Sequence, residues 1–174
     1  MNIIFLDFDG VIVTSRQLLK PQPDPTTHAL DVIIAAKADP NCVAALNRLC
    51  DETSAKIVVT SSWRRLAGFV DPLDYVREIL RLWGVRAEVI DVTPQLERDL
   101  IVTTGDGNRA QLTVAEQRSH EIQAWLDGNP NVTCFVILDD DDEMAHLRSR
   151  LVRTDLEDGL QMRHVEKAAS LLRS

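Results

Sequence analysis

Residues 3–11 read Ile-Ile-Phe-Leu-Asp-Phe-Asp-Gly-Val, an apolar run that leads into two carboxylates and a glycine. The run predicts a buried parallel strand whose C-terminal end carries polar groups, which is where open α/β sheets keep their sites. Asp7 and Asp9 lie two positions apart, so an extended chain would project both to one face, where they could share one small site. The alternative is that both acids only solvate the strand end. Gly10 would permit a sharp turn or a close approach to a ligand, so it is a candidate substrate-binding position.

The composition is that of a soluble globular protein, with 174 residues, 45% of them apolar and 26% charged. This length fits a single domain over residues 1–174. No apolar run approaches the ~18–20 residues of a membrane span, so we expect no membrane partner. The three cysteines are an odd count and no basic region precedes the first apolar run, so we expect a cytoplasmic protein with reduced thiols. The net charge of −8 argues against broad, nonspecific binding to nucleic acid.

Strands and helices alternate along the rest of the chain. Apolar β-prone runs predict further strands at residues 56–60, 85–90, 132–138 and 151–154. Helical spacing and end signals predict helices at residues 40–51, 72–83, 144–150 and 164–172, and another from residue 116 to the Gly-Asn-Pro sequence at 128–130. Residues 30–38 are apolar enough to pack as helix or strand. The alternation predicts an α/β fold with a doubly wound, mostly parallel five-stranded sheet.

Residues 100–114 depart from this alternation. Two β-prone runs there flank Gly-Asp-Gly-Asn at 105–108, a pattern that predicts a β-hairpin. We interpret residues 95–115 as a hairpin insertion in the domain. Its position between the third strand and the next helix suggests the hypothesis that it forms a small lid over the site. Edge-to-edge dimerisation is the alternative use of such a hairpin, and the sequence leaves the oligomeric state open.

Polar groups suited to one reaction follow three of the predicted strands: Asp7 with Asp9, Thr60 with Ser61, and Asp139 with Asp140. In a doubly wound sheet these strand ends lie at the same edge, so the groups can converge although they are far apart in sequence. A set of acidic oxygen ligands suits Mg²⁺ rather than zinc or copper. A cation held there needs an anionic substrate, and phosphate is the obvious one. The hydroxyls of Thr60 and Ser61 have a second possible use, which is to cap the helix that follows.

These motifs carry a resemblance to a known family. Residues 7–11 (Asp-Phe-Asp-Gly-Val), Thr60 after its apolar strand and Leu138-Asp139-Asp140 resemble motifs one, two and four of the haloacid dehalogenase-like (HAD) phosphatase superfamily. The finer pattern is similar to the small HAD domains of RNA-repair (Swiss Army Knife type) proteins and of many phage and bacterial proteins: residues 60–64, Arg118, Glu121–Ile122, Trp125–Leu126, residues 137–140 and Gly159–Leu160. The resemblance implies a HAD-like Rossmannoid fold that is capless or carries only a small hairpin insertion.

The resemblance also implies an activity, namely Mg²⁺-dependent hydrolysis of a phosphomonoester through an aspartyl-phosphate intermediate. Asp7 would be the nucleophile, and Asp9 would be the general acid that then activates water as a base. Thr60 would hydrogen-bond the phosphoryl group with the Ser61 amide as a second donor, although either residue could supply the hydroxyl of motif two. The metal ligands would be Asp7, the main-chain carbonyl of Asp9, Asp139 and, directly or through water, Asp140.

The third motif departs from the common pattern, which supplies a lysine, because no lysine lies between Lys56 and Lys167. The resemblance places Arg118 in that role, and a guanidinium can serve both Asp7 and a phosphate oxygen. The alternative for Arg118 is a solvated helix residue. Arg64 is a further candidate for contact with a substrate phosphate, because it follows the hydroxyls of residues 60–62 on the rim. The alternative for Arg64 is an ion pair with a nearby carboxylate.

The stretches where such enzymes insert a large cap are too short for one here, so we expect an open site. An open site suits bulky substrates, so nucleic-acid ends and phosphoproteins are candidates alongside small phosphorylated molecules such as nucleotides. Two alternative functions are phosphotransfer to another hydroxyl and a non-catalytic role as a phosphoacceptor or Mg²⁺-dependent binding domain. Asp9 argues against the phosphoacceptor, because a stable acyl-phosphate needs no acid/base group two residues away.

Overall fold

The computed structural model describes residues 1–96, 101–103, 109–111, 114–142 and 144–173, with the backbone alone at 101–103, 109–111 and 114–116. The strands are β1 (Asn2–Leu6), β2 (Lys56–Val59), β3 (Val89–Val92), β4 (Ile101–Thr103), β5 (Arg109–Gln111), β6 (Cys134–Asp139) and β7 (Leu151–Arg153). The α-helices are α1 (Ser15–Leu18), α2 (Leu30–Ala35), α3 (Pro40–Thr53), α4 (Pro72–Leu82), α5 (Val114–Asp127) and α6 (Met162–Arg173). Two 3-10 helices cover Ser62–Ala67 and Ala145–Arg150.

Five strands form one sheet in the order β3-β2-β1-β6-β7, and every neighbouring pair is parallel. The predicted α/β fold with a five-stranded, doubly wound sheet is therefore confirmed. The strand order reverses at β1, which is where sheets of this kind place their sites. Within the described part of the chain, no helix combines the length and the apolar character needed to cross a membrane.

The register of the sheet aligns the C-terminal ends of β2, β1 and β6 side by side. The amide of Asp7 donates to the carbonyl of Leu138 at 3.1 Å, and the amide of Thr60 donates to the carbonyl of Leu6 at 2.9 Å. The parallel ladder therefore continues one residue beyond β1 and β2. As a result Asp7 and Thr60 lie beside each other, with Asp139 at the end of β6 on the other side of Asp7.

Alternate residues of each strand pack on opposite faces of the sheet. Ile4 and Leu6 of β1 belong to the larger apolar cluster, which α3, α4 and α6 cover. Ile3 and Phe5 belong to the second cluster, which α5 covers from the other side. Burial of each such side chain contributes about 1.5–3 kcal/mol. Because the alternation continues past the strand, Asp7 faces α5.

The third strand was predicted at residues 85–90, but β3 covers Val89–Val92, so its predicted start was four residues early. The reason is the end of α4. Gly84 adopts a φ of +82°, and the amide of Val85 donates to the carbonyl of Leu80 at 2.9 Å. This closure satisfies a carbonyl of the last turn and keeps Val85 in the helix terminus. β3 lies at one edge of the sheet.

The strands β4 and β5 form a separate antiparallel pair in which Ile101 lies opposite Gln111 and Thr103 lies opposite Arg109. The turn between them, residues 104–108, lies outside the described residues, as do residues 97–100 and 112–113 of the predicted insertion. Both suggested uses of this segment, a lid or a dimer contact, stay predictions.

His164 stabilises the start of α6 and makes the stability of the fold depend on pH. Its Nδ1 accepts a hydrogen bond from the amide of Gln161 at 3.0 Å, and burial lowers the pKa of the imidazole. The unfolded chain therefore binds the proton more readily. The contribution to stability is present above the unfolded pKa of about 6.5 and is lost as the pH falls through the lower folded pKa.

Between about pH 7.5 and about pH 5.5 we expect the urea midpoint of the wild-type chain to fall relative to that of a His164→Gln variant. In the variant the side-chain oxygen can accept the same bond at any pH, so its midpoint lacks the decrease that His164 causes. The raised pKa of Asp139 changes stability in the opposite direction, but it does so equally in both proteins. Equal changes of the midpoint in the two proteins would contradict the assignment.

Candidate active site

Three carboxylates converge where β1 and β6 end. Asp7 and Asp139 are buried and Asp140 is half-buried, and one oxygen of each lies within 4.8 Å of the others. Hard carboxylate oxygens at such spacing are the donor type that Mg²⁺ prefers. The structure thus brings together the three aspartates whose side chains were predicted as metal ligands.

Arg118 lies over two of these carboxylates from the first half of α5. Its Nη1 donates to Oδ2 of Asp7 at 2.7 Å and to Oδ2 of Asp139 at 2.5 Å. The side chain is only 12% exposed, so the alternative of a solvated helix residue does not apply. Although burial disfavours its charge, Asp7 and Asp139 raise the pKa of Arg118 above its ordinary value. A permanently charged guanidinium therefore touches the predicted nucleophile.

The charges of this cluster also fit a divalent cation. Three carboxylates and one guanidinium leave two formal negative charges, three minus one. Burial raises the pKa of Asp139 to about 7, with Arg118 opposing the rise and Asp7 adding to it. The site therefore carries an excess of negative charge. A divalent cation would neutralise this charge, and the three carboxylates could act as its ligands.

Gly10 allows the loop after β1 to lie against Asp140. Its φ is +67°, and a Cβ at this position would lie 2.4 Å from the Cγ of Asp140. The loop is held by a hydrogen bond from the amide of Gly10 to the carbonyl of Val13 at 2.8 Å and by one from the Thr154 hydroxyl to the carbonyl of Gly10 at 2.7 Å. Glycine is required here both by the backbone conformation and by the space that Asp140 occupies.

The two hydroxyls after β2 have different environments. The Ser61 hydroxyl accepts a hydrogen bond from the amide of Trp63 at 3.4 Å and so caps the 3-10 helix at Ser62–Ala67. The Thr60 hydroxyl is buried and has no hydrogen-bond partner in the described part of the structure. An unsatisfied buried hydroxyl costs about 1–3 kcal/mol, so a ligand atom is its natural partner. This difference favours Thr60 over Ser61 as the donor to a bound phosphoryl group.

Asp9 binds Trp63 and is not one of the three carboxylates that lie within 4.8 Å of one another. The indole Nε1 of Trp63 donates to Oδ2 of Asp9 at 2.9 Å, and the indole packs edge-on against Phe8 and Trp83. Burial raises the pKa of the half-buried Asp9, and the indole bond only partly offsets this rise. A carboxyl group with a raised pKa, held beside the site by a rigid aromatic partner, is suited to donate a proton.

Arg64 forms a buried ion pair, which was the alternative to contact with a substrate phosphate. Its guanidinium does not lie on the rim of the site, so the predicted position on the rim was wrong. Its side chain is only 1% exposed and pairs with Glu121. The remaining donors bind the carbonyls of Thr60, Ser61 and Thr93, the last at 3.2 Å. Burial lowers the pKa of Arg64, and Glu121 opposes that effect. Arg64 therefore ties together the ends of β2 and β3 from the interior.

Glu121 and Trp63 are the residues of the site whose roles the sequence did not reveal. Glu121 binds Arg64 through one oxygen and Arg65 through the other at 3.0 Å. One signal was available, because Glu121 lies three positions after Arg118 and so shares its helix face. For Trp63 nothing in the sequence indicates its bond to Asp9.

Comparison with known families agrees with this geometry. A family model described as the HAD domain in Swiss Army Knife RNA repair proteins matches residues 3–165. The chain belongs to this family. Membership confirms the resemblance to the HAD superfamily and indicates a HAD-type hydrolase or phosphatase in general. In the family description, RNA repair is the activity of the proteins that carry such domains. No curated protein and no solved structure matches this HAD domain.

Proposed function

We propose that this HAD domain is a Mg²⁺-dependent phosphomonoester hydrolase that acts through an aspartyl-phosphate on Asp7. The observation that carries the proposal is one convergence at neighbouring strand ends. There the Asp7 carboxylate contacts the guanidinium of Arg118 at 2.7 Å and lies one strand from the Thr60 hydroxyl, which no described residue satisfies. A nucleophile, a fixed positive charge and a neutral donor are the groups that phosphoryl transfer requires.

In the first step a carboxylate oxygen of Asp7 attacks phosphorus, and the bond to the leaving oxygen breaks. Asp9 gives its proton to that oxygen, so the alcohol departs neutral. Arg118 orients Asp7 and binds a phosphoryl oxygen, while the Thr60 hydroxyl and the Ser61 amide donate to the others. In the second step Asp9 takes a proton from water as the water attacks phosphorus. The bond between Asp7 and phosphorus then breaks and inorganic phosphate is released.

Mg²⁺ would be held by Asp7, Asp139, Asp140 and the main-chain carbonyl of Asp9. Its charge would offset the repulsion between the Asp7 carboxylate and the phosphate dianion. Gly10 supports this set because its missing side chain lets the loop that carries Asp9 approach Asp140.

For the substrate we propose a nucleotide or a phosphorylated nucleic-acid end. The family description supports this choice, since the proteins that define the family repair RNA. We also propose a cytoplasmic location, which suits the three free cysteines Cys42, Cys50 and Cys134.

The test is phosphate release from an aryl phosphate, mononucleotides, and RNA and DNA oligonucleotides phosphorylated at either end. We expect release with Mg²⁺, none with a chelator, and recovery when Mg²⁺ is restored in excess. The best substrate decides between a small molecule and a nucleic-acid end. If a folded protein that binds Mg²⁺ releases no phosphate from any of them, the proposal is wrong.

A further inference from the structure

We infer that Thr93 and Arg65 form a second anion subsite beside the phosphoryl site, which binds a non-reacting phosphate of the substrate. The inference rests on the proposed function, because it names the class of phosphomonoester that the site prefers. That class is a substrate in which a second phosphate lies near the one that is removed.

Thr93 directly follows β3, just as Thr60 directly follows β2. Val92 pairs with Val59 in the register of the two strands, and the amide of Thr93 donates to the carbonyl of Val59 at 3.0 Å. Both valines pack with the cluster on the other face, so both threonines face α5. The sheet edge therefore presents a row of Asp139, Asp7, Thr60 and Thr93, with neighbours about 4.8 Å apart.

The Thr93 side chain lacks a partner of its own. It is 1% exposed, and its hydroxyl has no hydrogen-bond partner in the described part of the chain. Nε of Arg65 is likewise buried without a partner there, although another nitrogen of that guanidinium binds Glu121 at 3.0 Å. The same oxygen of Glu121 accepts a bond from the amide of Leu96 at 3.2 Å, three residues after Thr93. Arg64 connects the two residues, because it donates to the carbonyl of Thr93 and to Glu121, which also binds Arg65.

The charge of these connected residues favours an anion. Arg64 and Arg65 are both positive and Glu121 is negative, so these three hydrogen-bonded residues carry one formal positive charge, two minus one. Asp91 lies on the same face two residues before Thr93, but its carboxylate is bound to the indole of Trp125. Arg64 is committed to the carbonyls of Thr60 and Thr93 and to Glu121, whereas the Arg65 side chain is 24% exposed. In the inferred subsite one oxyanion accepts from both the Thr93 hydroxyl and Arg65. A second phosphate has the charge and the oxygens that this requires.

The position of this subsite sets the kind of ligand. Thr60 and Thr93 are one strand apart, and Asp7 is about 10 Å from Thr93 across two strand spacings. The reacting phosphoryl group bonds to Asp7, so it reaches Thr60 but not Thr93. The group bound at Thr93 is therefore a different phosphate of the same substrate.

The experiment compares propyl phosphate with propane-1,3-diol bisphosphate. Dissociation constants are measured by calorimetry with Mg²⁺ in an Asp7→Asn background, so that binding is read without turnover. We expect the bisphosphate to bind about tenfold more tightly than the monophosphate. Thr93→Val and Arg65→Met should each remove most of this advantage and leave monophosphate affinity within about twofold.

Thr93→Ser is the matched control, since it keeps the hydroxyl and should keep the advantage. Thr93→Val should also unfold at no lower urea concentration than its parent, because it removes an unsatisfied buried hydroxyl. Equal affinity for the two compounds in the Asp7→Asn parent, or an advantage that survives both Thr93→Val and Arg65→Met, would overturn the inference. Absence of phosphate release by the wild-type chain would instead count against the proposed function, so the two failures are distinguishable.

Discussion

Asp7→Asn is expected to lower Mg²⁺-dependent phosphate release by about 10⁴-fold or more, because an amide cannot form the acyl-phosphate of the proposed mechanism. The change is close to isosteric, and Arg118 keeps its bond to Asp139, so the fold should survive. The measurement is the initial rate of release from an aryl phosphate at saturating Mg²⁺. Circular dichroism of the same sample confirms that the variant is folded.

Asp91→Asn provides the matched control for this loss. Asp91 is also an aspartate of the parallel sheet, and it accepts a bond from the indole of Trp125 at 2.7 Å, away from the carboxylate cluster. An asparagine oxygen can accept the same bond, so activity should stay within about threefold of wild type. If Asp7→Asn kept a tenth or more of the wild-type rate, phosphate would be leaving by direct attack of water and the nucleophile assignment would be wrong.

Sequence reasoning located the edge of the sheet that carries the candidate site, because that edge follows from the backbone pattern. Apolar runs mark parallel strands, and the residue after each run lies at the carboxyl edge whatever the side chains do. This is why Asp7, Thr60 and Asp139 could be expected together. Arg118 could be expected too, because the resemblance placed it there and no lysine lies between Lys56 and Lys167.

The direction of a side chain in a turn could not be predicted in this way, because it depends on partners that are distant in the chain. Arg64 follows the same strand as Thr60, yet its guanidinium turns inward to Glu121, which lies 57 residues later. The Asp9 carboxylate turns to Trp63, 54 residues later. β3 begins later than predicted for a local reason, which is the hydrogen bond from the amide of Val85 to the carbonyl of Leu80 at the end of α4. Residue types and spacings alone do not predict individual contacts of this kind.

Glu121→Ala is expected to lower the free energy of unfolding by about 3–5 kcal/mol, the largest loss of stability that we predict for a single substitution in this protein. Glu121 and Arg64 are 3% and 1% exposed at the side chain, so the substitution would leave a buried guanidinium without its counter-charge. Three backbone carbonyls would remain as acceptors for Arg64, but they carry no net charge. The measurement is urea unfolding followed by tryptophan fluorescence.

Glu88→Ala is the control, because Glu88 pairs with Lys56 at 2.7 Å on the surface, with side chains 62% and 39% exposed. Exposed pairs of this kind are screened by solvent, so the loss should stay below about 1 kcal/mol. If Glu121→Ala cost no more than Glu88→Ala, water must reach Arg64 and the ion pair would not hold the ends of β2 and β3. Because Arg64 binds the carbonyls of both Thr60 and Thr93, a large loss would mean that the same buried pair that stabilises the fold also keeps the two hydroxyls in one row.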